Sequence, residues 1–458
     1  MRHIGKYEIL GLLGKGGMGR VYKVRLPVAG RVLALKLLAP DETLSVLLGD
    51  DEIERRFAAE AALLGGLRHP RLAAVTDFDR DERGRPFYCM EFYCQNLGLV
   101  LGETYHAEEA ARALPVDTAV RLALELLDGL ALLHEAGILH RDLKPFNVML
   151  DDEDHVRLID FGLSARRGER HATPSGMAVG TPFYTAPEQE ADPDNADERA
   201  DLYSVGVICW RMFTGRLPAE RADERRRASS LEPGLLEAFD DFLARAVHPE
   251  PGSRFQTAPA MAQALRDAHR DWRAALSQVC SLLDPTIAPE TPAPPRPRAE
   301  PRTVRAADAS AVFPLDHLSR PAASSSADFE PAAPGTVLDR TTGLCWQQSG
   351  SHRPLDWAAA RAYCSRLNER RFAGRTGWRL PTVDELAGIV GRAPGADGYC
   401  LDPVFDRAQR RLWTADRKSM RSAWFADAIL GYVSWLDADC LLHVRAVCPT
   451  HPEGTETA

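Results

Sequence analysis

The feature that most constrains this chain is the run His140-Arg141-Asp142-Leu143-Lys144-Pro145-Phe146-Asn147, with Asp160-Phe161-Gly162 shortly after it. A candidate proton acceptor, fixed cations and two oxygen-bearing side chains suited to a metal stand close together there. Pro145 cannot sit inside a helix or a central strand, so the run has to be a loop held out by neighbouring elements. A purely structural segment has no use for such a density of chemistry, and an enzyme is the first hypothesis.

With 458 residues the chain fits two or three domains. Its 45% hydrophobic and 26% charged residues are those of a globular protein. The formal net charge of -9 argues against broad nucleic-acid binding, which needs an excess of Lys and Arg. The first residues carry no apolar core of signal-peptide length, and no run of about 18 apolar residues occurs, so no membrane span and a cytoplasmic location are expected. The nine cysteines then default to thiols. Five of them, Cys345, Cys364, Cys400, Cys440 and Cys448, lie near the C-terminus without the CxxC spacing of a zinc site.

Taken in order, Tyr7 to Gly14 and Arg20 to Leu26 read as strands joined by Gly14-Lys15-Gly16-Gly17-Met18-Gly19. Such a turn brings backbone N–H groups close to an anion, and a nucleotide phosphate is its natural guest. A dinucleotide-binding turn would open a helix, whereas Arg20-Val21-Tyr22-Lys23-Val24 alternates like a strand. Val32 to Leu38 is an apolar strand with Lys36 in its middle, either snorkelling at a sheet edge or paired with an anion in a cleft. A helical pattern from Asp50 to Leu67 places Ile53, Phe57, Leu63, Leu64 and Leu67 on roughly one face with Glu60 among them, and a carboxylate there could reach Lys36. Leu72 to Phe78 and Pro86 to Phe92 complete a small sheet. Helices follow at Ala107 to Ala113 and Val116 to Ala136, the second closed by Gly137. Val148 to Leu150 and Val156 to Ile159 form a short hairpin that would deliver Asn147 and Asp160 to one place as oxygen ligands for magnesium.

Residues from about Tyr7 to Trp272 resemble a bacterial serine/threonine protein kinase. That resemblance implies a bilobal α+β fold over residues 1–275 and an ATP-dependent transfer of phosphate to protein substrates. Gly14, Gly16 and Gly19 would cover the ATP phosphates, with Val21 and Ala34 also lining the nucleotide. Lys36, paired with Glu60, would hold the α- and β-phosphates; the connection between them is longer than is usual in that family, which makes Glu54 the fallback partner. Met90 would be the gatekeeper, and Glu91 to Tyr93 the hinge that meets adenine. Asp142 would accept the substrate hydroxyl's proton, Lys144 would neutralise charge on the transferred group, and Asn147 with Asp160 would hold Mg2+, or Mn2+ in its place. Glu188, in the sequence Ala186-Pro187-Glu188, would pair with Arg254, and Asp201 would brace the catalytic loop. Lys144 and the pair Gly180-Thr181 favour serine/threonine over tyrosine substrates. Arg141 implies regulation by a phosphate on the activation segment, with autophosphorylation at Thr173 or Ser175, Thr181 as a further regulatory residue, and a transient dimer as its route.

Residues 276–335, rich in Pro, Ala and Ser, are expected to be a flexible linker spanning on the order of 40 Å. Residues 336–450 then carry Trp346, Trp357, Trp378, Trp413, Trp424 and Trp435, mainly as core. Helices are expected from Asp356 to Asn368 and from Val383 to Val390, the latter capped by Thr382 with Glu385 completing a capping box. Cys364 with Cys448 and Cys400 with Cys440 could bridge if oxidised. Residues 451–458 are expected to be a disordered tail.

This part resembles a C-type-lectin-like family related in fold to formylglycine-generating and sulfatase-modifying proteins. The resemblance rests on Thr342-Gly343-Leu344-Cys345-Trp346, Trp378-Arg379-Leu380-Pro381-Thr382-Val383-Asp384-Glu385-Leu386 and Val444-Arg445-Ala446-Val447. Its motifs look structural, so a module binding an unknown ligand or protein is favoured over a second enzyme. Two function classes therefore stand side by side: an active kinase with a recruiting or sensing module, and a nucleotide-binding scaffold.

Overall fold

The computed structural model describes residues 3–16, 18–103, 109–160, 165–166, 182–219, 226–235, 237–280, 297–322, 328–391 and 398–450. The chain divides into two compact units, Met1–Leu283 and Asp284–Ala458. The first unit opens with a sheet of β1 (His3–Ile4), β2 (Tyr7–Lys15), β3 (Gly19–Arg25), β4 (Val32–Leu38), β5 (Val75–Arg80) and β6 (Pro86–Glu91). It is antiparallel throughout, in the order β1-β2-β3-β4-β6-β5. β4 is apolar nearly end to end because it lies in the middle of the sheet, between β3 and β6. Tyr7, Val24, Leu33, Leu35, Leu37 and Phe87 fill the core on one side.

Two helices follow β4: α1 (Glu42–Leu48), capped by the Asp41 carboxylate on the Leu44 N–H, and α2 (Asp50–Gly66). α2 buries Ile53, Phe57, Glu60, Ala61 and Leu64, a stripe at helical spacing that draws Glu60 in with its apolar neighbours. Asp50, Asp51 and Glu52 occupy its first turn, where negative charge complements the helix dipole.

Beyond β7 (Gln95–Asn96) and α3 (Leu97–Leu101) the unit is mainly helical. α4 (Val116–Glu135) runs into β8 (Ile138–Leu139), and β9 (Val148–Leu150) pairs with β10 (Val156–Leu158) as the expected hairpin. After β11 (Ala165–Arg166) and α5 (Pro187–Ala191) comes α6 (Glu198–Thr214), buried continuously from Ala200 to Thr214 and so the central post of this half. α7 (Ala228–Leu231), α8 (Asp240–Ala246) and α9 (Ala258–Cys280) complete the unit.

Local details depart from expectation. β5 begins at Val75, because Leu72 is used in a bridge to Leu158. Of the helix expected at Ala107 to Ala113, residues 109–113 are not helical: Ala111 and Arg112 donate their N–H groups to the Gly215 and Leu101 carbonyls instead. The rest of that stretch lies outside the described residues.

The second unit shows the largest difference. The linker expected at 276–335 is not a tether along its whole length. α9 continues to Cys280, and from residue 297 the described chain is built into the unit. Val304, Ala309, Phe313 and Leu315 are buried in one core with Trp346, Val383, Leu386 and Trp424, α10 (Ala309–Val312) lies within this stretch, and β12 (Phe329–Pro331) pairs with the next strand. Proline prevents regular structure but does not stop scattered apolar side chains from docking. The composition of the stretch concealed those few anchors.

Four strands, β12, β13 (Thr336–Asp339), β14 (Leu344–Gln347) and β18 (Val447–Pro449), form one sheet, and β15 (Arg411–Arg417), β16 (Ser422–Asp427) and β17 (Tyr432–Asp437) a second. Helices α11 (Trp357–Glu369) and α12 (Val383–Ile389) stand where the helical patterns place them. Thr382 and Glu385 form the expected capping box, and Arg379 grips Glu385 through both carboxylate oxygens at 2.8 and 2.6 Å. Five of the six tryptophans are buried, the exception being the half-buried Trp435. The cysteine pairs differ from those expected: Cys448 lies opposite Cys345 across β14 and β18, and the Cys400 thiol donates to the Ile429 carbonyl. Cys345, Cys364, Cys400 and Cys448 are free thiols.

Candidate active site

The loop His140–Asn147 is held from below by one carboxylate. Asp201, in the first turn of α6, accepts the backbone N–H of His140 at 2.9 Å and of Arg141 at 2.8 Å, and the His134 ring lies 2.9 Å from the same group. Burial alone would push Asp201 up, but its donors, His134 foremost, hold it below the usual carboxylate range. Arg141 takes a left-handed backbone (φ 65°), and its carbonyl accepts from the Gln189 amide at 2.8 Å. Such a conformation costs a non-glycine residue energy and persists only where its surroundings insist on it.

Arg141 delivers Asp142 into the site. The Lys144 ammonium lies 2.8 Å from Asp142 Oδ2. Asn147 donates its amide to the Asp142 carbonyl at 2.7 Å and to Oδ2 at 3.1 Å, which turns the amide oxygen away from Asp142. Pro145 starts a short 3-10 turn that brings Asn147 back under Asp142, and the Asn147 carbonyl receives the Ile159 N–H at 3.1 Å. The hairpin thereby sets Asp160 beside the loop, again with a left-handed backbone (φ 64°).

The sheet of the same unit supplies the opposing cation. Lys36 Nζ lies 2.8 Å from Glu60 Oε1, 3.1 Å from Glu60 Oε2 and 2.8 Å from Asp160 Oδ1. Burial would lower the Lys36 pKa, but Asp160 and Glu60 outweigh it and keep the ammonium pKa well above its ordinary value. The Lys36 charge holds Asp160 down at about 2. Burial pushes Glu60 the other way, upward, against the pull of Lys36. The alternative partner Glu54 is on the surface, bound to Arg80 instead.

The glycine-rich turn between β2 and β3 closes on itself through reciprocal N–H to carbonyl bonds of Gly16 and Gly19 at 2.9 and 3.3 Å. A Cβ on Gly19 would collide with the Leu37 carbonyl, whereas Gly14 and Gly16 face open space. Val21 is the register partner of Lys36, and Ala34 that of Met90. Met90 and Ala34 are buried, and Glu91 accepts from Arg31 at 2.6 Å and from the Tyr93 hydroxyl at 3.1 Å. Further along, Arg254 makes a two-pronged bond to Glu188, both contacts at 2.7 Å, with its guanidinium buried. Thr173, Ser175 and Thr181 lie outside the described residues, as do Phe161 and Gly162.

Three functional neighbours escaped sequence reasoning: Tyr88, whose hydroxyl donates to Glu60 Oε1 at 2.9 Å, and His134 and Gln189, which steady the loop from α4 and α5. For Tyr88 the signal was its place two residues before Met90 in a buried strand, which says "core" and gives no hint of a polar role.

A carboxylate and an amide oxygen suit magnesium, which binds through one or two carboxylates and completes its shell with substrate phosphates and water. Among the described residues no cluster of three or more His, Cys, Asp or Glu side chains forms a separate metal cage.

A two-lobed fold with a lysine bridging two carboxylates, set against an aspartate loop, defines the protein kinase class. The chain belongs to that family: residues 7–268 match the protein kinase domain model. It is similar to the serine/threonine-protein kinase pkn3 of Myxococcus xanthus, 32% identical over 287 residues, which cover 57% of this chain and 49% of that protein. PksC of Streptomyces coelicolor is 34% identical over 275 residues, 56% of this chain and 48% of its own length. PknL of Mycobacterium tuberculosis is 34% identical over 271 residues, 56% of this chain and 64% of its own. The chain thus spans about half the length of the first two relatives. Residues 335–448 match the Lcl C-terminal domain model. Among the described residues no helix is long and apolar enough to cross a membrane.

Proposed function

We propose that the chain is an ATP-dependent kinase that phosphorylates serine and threonine hydroxyls of other proteins. The observation that carries this reading is Lys36, 2.8 Å from both Glu60 and Asp160, in the same unit as the Asp142–Lys144–Asn147 group. Phosphoryl transfer needs little covalent help from a protein and much positioning and charge neutralisation. Lys36, steered by Glu60, meets the α- and β-phosphates under the Gly14–Gly19 turn, while Ala34, Met90 and the Glu91–Tyr93 segment receive adenine. Asp142 orients the substrate hydroxyl and takes its proton, and Lys144 offsets charge on the group in transit. Asp160 and Asn147 would hold magnesium, which when bound would shield the phosphate charges.

The regulatory half of the proposal is autophosphorylation at Thr173 or Ser175, read by Arg141. The Lcl-like unit serves as a C-type-lectin-like module that recruits targets or senses a ligand, in the cytoplasm. Asp142→Asn in the full chain tests the catalytic core. Transfer of labelled γ-phosphate from ATP to a generic basic protein should fall by about 10²–10⁴. Unchanged labelling would reject the assignment.

A further inference from the structure

Tyr88 grips α2 at two points one turn apart. Its hydroxyl donates to Glu60 Oε1 at 2.9 Å, and its ring centre lies 5.1 Å from that of Phe57. Phe57 and Glu60 are three residues apart, so they are neighbours on one helix face. Tyr88 and Glu60 are 1% and 3% exposed, which leaves neither group the option of turning to water. A second aromatic, Phe78 on β5, stands behind Phe57 with ring centres 6.5 Å apart, and the Lys36 ammonium lies 5.8 Å from the Tyr88 ring centre.

We propose that Tyr88 is a positioning residue for phosphoryl transfer, its ring fixing the rotation of α2 and its hydroxyl turning Glu60 toward Lys36. The proposal rests on the kinase reading above. Lys36 is shared: it bridges Glu60 and Asp160 in the structure, and in the proposed reaction it must also serve the phosphates. The Tyr88 hydroxyl has no such second duty, so it is the donor that stays with Glu60 when Lys36 turns to substrate.

The groups facing Glu60 are Lys36 from β4 and Tyr88 from β6. Removing the Tyr88 hydroxyl leaves a buried carboxylate with Lys36 as its one side-chain donor among these contacts, so Glu60 and the helix that carries it are held less firmly toward Lys36.

The test compares the full-length wild-type chain with Tyr88→Phe, which keeps the ring and deletes only the donor. kcat should fall about tenfold, the size of one lost hydrogen bond to a charged group. KM for the basic-protein acceptor should stay put. A purely structural tyrosine would lower the melting temperature and leave kcat of the folded variant unchanged. Amide hydrogen exchange on the nucleotide-free chain is the second measurement, with faster exchange expected across 50–66 in the variant. Wild-type kcat and unchanged exchange would overturn the proposal. A wild type that transfers no phosphate would reject the kinase reading instead, and the exchange comparison would still decide whether Tyr88 positions the helix.

Discussion

Each unit contains a cation held between two carboxylates, and the two arrangements differ in what they leave unspent. In the first, Lys36 meets Glu60 and Asp160, and the Asp160 side chain is 44% exposed on a left-handed backbone. In the second, Arg298 meets Asp384 at 2.7 Å and Asp416 at 3.0 Å through each oxygen. Asp416 is fully buried and also accepts the backbone N–H groups of Arg302 and Val383 at 2.6 and 2.7 Å. A saturated, buried carboxylate has no lone pair left for a ligand, so the Arg298 cluster can only fasten the start of the unit to its core. Lysine is a flexible point charge, and in the first unit it keeps a partly open neighbour, so that charge can be redirected. The lesson is that charge count does not separate a site from a strut; residual exposure and residual hydrogen-bonding capacity do.

That contrast can be broken by mutation. Arg298→Leu should have the largest effect on stability, about 3–5 kcal/mol, because it leaves the fully buried Asp416 carboxylate without its cation. Six of the eight tryptophans lie in the second unit, so urea unfolding followed by tryptophan fluorescence reads that loss, while the first unit's nucleotide binding should persist. Lys36→Met should do the reverse. Phosphate transfer should drop by about 10²–10³, the scale of losing one preorganised charge stabiliser, with the fluorescence transition unmoved. If Lys36→Met instead unfolded the chain, and Arg298→Leu silenced transfer without unfolding anything, the contrast would be inverted. Smallest is Thr382→Ala, expected to cost about 1 kcal/mol of second-unit stability in the same urea experiment. Its hydroxyl caps α12 at the Glu385 N–H and also donates to the Arg298 carbonyl at 2.7 Å. A loss equal to that of Arg298→Leu would show that the cap, not the ion cluster, secures the segment.

Much of the first unit was legible because its signals are local. Pro145 and the closely spaced Asp142, Lys144 and Asn147 describe a loop by themselves, and the spacing of Ile53, Phe57 and Leu64 describes the helix that carries Glu60. The capping box at Thr382 and Glu385 is likewise a three-residue matter. The stretch before Gly335 was misread because composition averages over a window. Val304, Phe313 and Leu315 are too sparse to register in that average, yet each finds a place in the core around Trp346 and Trp424. Cys345, Cys364, Cys400 and Cys448 are thiols, as composition suggested, but which two face each other follows from strand register, and Cys345 meets Cys448 only because β14 and β18 are neighbours.

By itself the sequence determined which chemical groups are available and how they are ordered over a few residues, since turns, caps and helix faces depend on contacts between near neighbours. Only the tertiary structure decided which distant groups meet. It brought Lys36 to Asp160 across 124 positions and Tyr88 to Glu60 across 28, and it anchored Arg298 on Asp416 across 118. Such pairings arise where buried polar groups must find partners in whatever path the packed chain takes, and no local periodicity encodes that path.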